Sequence, residues 1–140
     1  MANEAELFLE YSPAIPMTVA NATAITKGAV LKLTDPFTAS SADGDNDLVA
    51  GIAKEDKIAS DGHTKIAVYR SGVFRMFGSG TITIGDPVGT LATYTNYVQT
   101  MDMTGQTLSG ARCLGIALES STNGQSLWIE LRPSVVWPSI

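Results

Sequence analysis

Apolar residues in this chain come in short runs, and turn-forming residues cut each run off before it reaches helical length. Ala29-Val-Leu-Lys-Leu-Thr34 follows Lys27-Gly28 and stops at Asp35-Pro36. Leu48–Ala53 follows Asp43-Gly-Asp-Asn-Asp47, Thr64–Tyr69 lies between Asp61-Gly62 and Ser71-Gly72, and Val73–Phe77 runs into Gly78-Ser-Gly80. Pro87–Leu91, Tyr94–Thr100, Cys113–Glu119 and Ser126–Arg132 continue the series. Within Lys65–Tyr69 and Leu127–Leu131 large apolar residues alternate with polar or small ones, the period of a strand with one buried face. Short β-branched runs between Gly, Pro, Asn and Asp clusters predict an all-β sandwich or barrel. No window holds a sustained helical stripe; the best helical candidates are Ala53–Ala59 and Ala2–Leu9, so short helical turns are expected beside the strands.

The two halves echo each other. Ile25-Thr-Lys-Gly28, Val49-Ala-Gly-Ile-Ala-Lys-Glu55 and Lys65–Tyr69 recur in order as Ile82-Thr-Ile-Gly85, Cys113-Leu-Gly-Ile-Ala-Leu-Glu119 and Leu127–Leu131. A glycine inside a strand pattern marks a bulge or a close backbone approach. The paired glycines predict a small pseudo-symmetric β-barrel in which each half gives strands to one closed sheet.

The ends differ from the middle. Residues 1–18 read as an extended N-terminal arm, because Pro13 and Pro16 forbid a regular helix and extend the residues before them. Leu7, Phe8, Leu9, Tyr11, Ile15 and Met17 are too apolar for a solvated tail, so the arm is expected to lie on the chain's own core, a sister subunit or another protein. Residues 19–132 read as the β-barrel core domain. The tail, 133–140, raises the same question as the arm through Val135, Val136 and Trp137, an aromatic between prolines being a good anchor for a pocket.

Composition narrows the chemistry. The 140 residues predict one domain, long enough to hold a core without metal or disulfide help. Hydrophobic residues make up 44% and charged ones only 16%, which excludes a disordered chain and points to surface covered by partners. The net charge of −5 with dispersed Lys and Arg leaves no footprint for nucleic acid. No run approaches the ~18 apolar residues of a membrane span. The acidic N-terminal residues are unlike a signal peptide, so synthesis and use without export are expected.

A single cysteine, Cys113, and a single histidine, His63, leave little for catalysis or for metal binding, and no cofactor is expected. Asp43–Asp47 looks calcium-like, but an EF-hand register places Leu48 and Lys54 where Gly and Glu are needed, so it reads as a turn. Gly78-Ser-Gly80 leads into a strand rather than a helix and reads as a hairpin turn. His63 lies in a polar turn with no nucleophile elbow anywhere in the chain. Glu55 and Glu119 read as matching strand ends, Cys113 as core, and Trp128, Tyr69 and Phe74 as core aromatics.

Several segments in order carry a resemblance. Ala20-Asn-Ala-Thr-Ala-Ile-Thr-Lys-Gly-Ala-Val-Leu-Lys-Leu-Thr-Asp-Pro36, Ser41-Ala-Asp-Gly-Asp45, Val49–Glu55, Asp61-Gly62 with Ile66-Ala-Val68, Gly85-Asp86 and Leu114–Glu119 together resemble the small decoration, or cement, proteins of tailed-phage capsids. The match spans about residues 18–131 and is similar in role to the head-stabilising proteins of lambda-type phages. It implies a β-tulip-like domain, a homotrimer on the outer surface of the virion, made in the host cytoplasm, and no catalytic residues. It implies the major capsid protein and the chain itself as partners. It also implies an arm that adds a strand to a capsid sheet, for which Leu7–Tyr11 is the proline-free stretch. The competing reading is a virion-displayed β-barrel that binds carbohydrate or a receptor through an exposed aromatic platform.

Overall fold

The computed structural model describes residues 4–101 and 111–136, and every regular element among them is a strand. In order these are β1 (Glu6–Leu9), β2 (Ile15–Thr18), β3 (Val30–Asp35), β4 (Thr38–Ser41), β5 (Val49–Ala53), β6 (Lys65–Tyr69), β7 (Gly72–Gly78), β8 (Pro87–Thr90), β9 (Tyr97–Thr100), β10 (Ala111–Ala117) and β11 (Ser126–Val136). Both helical expectations are corrected. Glu6–Leu9 is a strand, and Ala53–Ala59 leaves β5 in an open turn. The Lys54 amide bonds the Ala67 carbonyl, and Lys57 and Ile25 exchange backbone bonds across the turn. Those neighbours offer better-placed acceptors than a single isolated helical turn supplies.

The strands close two rings rather than the expected single sheet. Strands β2-β4-β3-β5-β6 form a closed barrel, here barrel 1. Strands β7-β11-β10-β8-β9 form the second ring, closed by a β7–β9 pairing, with β1 added outside β7. Pairing repeats strand for strand. β2 runs parallel to β4 and antiparallel to β6, as β7 does to β9 and β11. Leu31 faces Gly51 and Val30 faces Ile52, as Val88 faces Gly115 and Pro87 faces Ile116. The Ile25↔Lys57 bridge has its counterpart in Ile82↔Ser121. The two Gly-Ile-Ala segments therefore occupy one position in each barrel. Both glycines sit beside a register shift, where a Cβ on Gly51 would strike the Tyr69 carbonyl and one on Gly115 the Glu130 carbonyl.

The core is also in two parts. One cluster, including Met17, Ile25, Leu31, Ile66 and Val68, fills barrel 1. The larger one fills barrel 2 with Phe74, Met76, Ile82, Leu114, Leu127, Ile129 and Leu131, and reaches across to Val30, Val49, Ile52 and Tyr69 of barrel 1. Every residue of β5 is buried because one face of it lines barrel 1 while the strand packs on β10 and β11. Polar groups complete the seam. The Val30 amide donates to Asn96 Oδ1 at 3.0 Å, and the Asn46 amide to the Thr90 carbonyl at 3.0 Å.

Candidate functional site

The longest run of exposed large apolar residues lies in the segment read as an arm. β1 lies antiparallel on β7, with Glu6 opposite Arg75 and Leu7 opposite Phe74, and all four of its residues are exposed. Leu7, Phe8, Leu9 and Tyr11 are 41, 59, 50 and 54% exposed. Charge and aromatic contacts hold this segment at several points. The Phe8 ring lies 4.6 Å from that of Trp128, whose other contact is the Arg75 guanidinium at 5.1 Å. The Tyr11 hydroxyl donates to Glu130 Oε2 at 2.9 Å, and that bond to a carboxylate pushes the phenol pKa up. The Ala5 amide donates to the Gly28 carbonyl at 2.8 Å. Between β1 and barrel 1 runs a groove of about 480 Å³ lined by Lys27, Lys54 and Tyr69 on one side and Glu4–Leu7 on the other.

The remaining predicted contact residues are distributed differently. Ile15 and Met17 lie in β2; Met17 is buried inside barrel 1 and Ile15 is half-buried at its end. Val135 and Val136 extend β11 opposite Arg112 and Ala111, and Trp137 lies outside the described residues. Tyr69 and Phe74 are core aromatics, as expected, meeting edge to face at 5.6 Å. Trp128 is not. It points outward on β11, where Phe8 and Arg75 cover it, so it is not the open platform that a sugar-stacking site requires.

The candidate reactive groups are held by structural bonds. His63 is 76% exposed, with Nδ1 3.1 Å from Asp61 Oδ2. Asp61 also accepts the His63 and Ile58 amides, and these bonds hold its carboxyl well below the usual carboxylate range. In the calcium-like turn, Asp43 pairs with Lys32 at 2.7 Å, Asp47 caps the Asp43 and Gly44 amides, and Asp45 accepts the Ala92 amide. That turn is a latch between barrels, completed by Thr90, whose hydroxyl accepts the Asp47 amide and donates to the Gly44 carbonyl. Thr90 and Asn96 were invisible as partners in the sequence, since their bonds span more than forty residues. Among the described residues no group of three or more His, Cys, Asp and Glu is placed to hold a metal ion.

Comparison with known proteins points one way. A family model for phage cement protein matches residues 10–132. A search of curated proteins found no match. Among solved structures, the head fiber gp8.5 N base of bacteriophage phi29 superposes with a TM-score of 0.53 at 16% identity, covering 88% of this chain and 96% of that one. At that identity the likeness speaks for the fold.

Proposed function

The chain belongs to the phage cement protein family, and from that premise we propose that it binds the outer surface of the expanded phage capsid and stabilises it by bridging neighbouring major capsid protein subunits. In this reading it is a structural virion protein without catalysis, made in the host cytoplasm and working as a homotrimer. The observation that carries the reading is the exposed strip Leu7, Phe8, Leu9 and Tyr11, held on a rigid two-barrel body by the contacts of β1.

A protein that binds the expanded lattice and not its precursor shifts the equilibrium toward the expanded form by mass action. Several arms on one particle convert modest single-arm affinity into avidity. Residues 1–18 supply one grip, through strand addition along Leu7–Tyr11. Val135, Val136 and Trp137 in the 133–140 tail supply the other.

The test mixes empty expanded heads with the full chain and with a chain lacking residues 1–11. That truncation spares β2, which barrel 1 needs for closure. The expected result is a folded protein, by circular dichroism, whose head binding falls at least tenfold. Undiminished binding would remove the arm from the mechanism.

A further inference from the structure

Gly28 and Gly85 hold the same place in the two barrels, each donating its amide to the end of a Gly-Ile-Ala segment, at the Ala53 and Ala117 carbonyls. Both have positive φ, +89° and +91°. They differ in what lies beside them. A Cβ on Gly85 would meet open space, whereas one on Gly28 would lie 2.6 Å from the Ala5 carbonyl oxygen and 2.7 Å from the Glu4 Cβ. The backbone of the arm therefore rests directly on Gly28, whose carbonyl also accepts the Ala5 amide. The other end of β1 rests on glycine too, because a Cβ on Gly72 would lie 2.6 Å from the Leu9 carbonyl oxygen. Between these two seats the register of β1 shifts, and Phe8, the residue without a Cα partner on β7, packs against Trp128.

We propose that Gly28 and Gly72 are positioning residues for capsid binding: they seat β1 at both ends, so that the arm grips the capsid while still paired with its own body. This inference rests on the reading that the arm is a grip. Two features of the seated arm support it. Pairing with β7 leaves Leu7, Phe8, Leu9 and Tyr11 exposed, so the apolar strip is already presented. β1 also ends its sheet, and among the described residues no strand pairs with its other edge, the edge to which an incoming strand adds. Leaving the body would break the Ala5–Gly28 bond, the Phe8–Trp128 contact and the Tyr11–Glu130 bond before any new bond formed. A seated arm binds without that cost and without having to order a free tail.

The first test uses the free protein. Gly28→Ala and Gly85→Ala meet the same backbone strain, so the difference between them isolates the arm. Hydrogen exchange across residues 4–11, read by mass spectrometry, is expected to quicken at least tenfold in Gly28→Ala and to stay at the parent rate in Gly85→Ala. Equal exchange in the two variants overturns the seat. The second test locks the arm in place. Glu6→Cys with Arg75→Cys puts two thiols on Cα partners of an antiparallel pair, within the span of a disulfide. Empty expanded heads are expected to bind the oxidised and reduced forms of this variant alike. Head binding falls at least tenfold in Gly28→Ala but not in Gly85→Ala, and adding the oxidised lock to Gly28→Ala restores it. The lock needs no change at glycine, so it decides even where Gly28→Ala does not fold. Binding lost on oxidation and regained on reduction would show that the arm must leave its body, and overturns the seated grip alone. Undiminished binding by the chain lacking residues 1–11 instead overturns the reading that the arm grips the capsid at all.

Discussion

Barrel 1 and barrel 2 share a hydrogen-bond pattern and differ in what they hang on it. At the turn after the first glycine bridge, barrel 1 carries Lys27, Lys54 and Ala67 where barrel 2 carries Ile84, Leu118 and Trp128. Ile84 and Leu118 are 62 and 41% exposed, and Trp128 supports the arm through Phe8. Inside, the bridge position holds Lys57 in barrel 1, with Nζ donating to the carbonyls of Asn21, Thr23 and Ile58, and Ser121 in barrel 2, whose buried Oγ has no partner. The backbone is thus the shared scaffold. On that side barrel 2 holds β1 and exposes Ile84 and Leu118, whereas barrel 1 presents Lys27 and Lys54 at the matching positions, with Ile58 exposed beside the bridge.

The sharpest way to break the likeness is to remove what both barrels need. Gly51→Val and Gly115→Val each drive a side chain into a strand carbonyl, and each is expected to cost about 4 kcal/mol or more. Gly51→Val acts on the strand that also forms the seam, so it should loosen both barrels. Urea unfolding followed by far-UV circular dichroism checks both. A loss below about 1 kcal/mol in either variant would mean that the bulge relaxes and that the glycine pair is not what fixes the register.

Next in size are cavities that separate the two cores. Phe74→Ala empties a fully buried site shared across the seam and is expected to cost about 3–5 kcal/mol; Ile66→Ala, confined to the barrel 1 cluster, about 2–5 kcal/mol. Because the larger cluster spans both barrels, Phe74→Ala should still unfold in one transition. Two separated transitions for Phe74→Ala would show the barrels to be independent units. Smaller again is the exchange at the bridge position. Lys57→Met removes a fully buried ammonium that serves the carbonyls of Asn21, Thr23 and Ile58 and is expected to cost about 1–3 kcal/mol, whereas Ser121→Ala removes an unpartnered hydroxyl and should be neutral or stabilising.

What the sequence made legible was local. Period-two runs located Lys65–Tyr69 and the Leu127–Leu131 stretch of β11, and the recurrent Gly-Ile-Ala marked two equivalent bulges, because each signal lies within a few residues. Ring closure was not legible. The parallel β2–β4 and β7–β9 pairings join distant strands and leave no periodic trace, so two barrels were read as one sheet. Ala53–Ala59 looked helical because its residues have helical propensity, and tertiary hydrogen bonds overrode that. Trp128 looked like core because aromatic residues in strands usually are. Its outward position depends on Phe8, more than a hundred residues away, covering it. Within the arm, burial separated Met17 from Leu7, Phe8, Leu9 and Tyr11, a division that apolar character alone could not make.

The smallest expected effect is the acid-side pH dependence contributed by the Asp61 turn of barrel 1. Asp61 accepts the amides of His63 and Ile58 and lies 3.4 Å from the Lys57 ammonium, so its carboxyl stays ionised in the fold at pH values where an unfolded carboxylate, at about 3.8, takes up a proton. A group whose pKa falls on folding adds stability above its unfolded value and loses it as pH drops toward the folded one. The carboxyl meets solvent, so the contribution is modest. Asp61→Asn should therefore unfold at lower urea than the parent at pH 6, and the two midpoints should converge between pH 4 and pH 2. Barrel 2 has Ser121, uncharged, at the bridge position, so Ser121→Ala should run parallel to the parent over the same range. If the Asp61→Asn gap stays constant with pH, the carboxylate acts only through its shape as a turn cap, and the charge difference between the two barrels has no part in their stability.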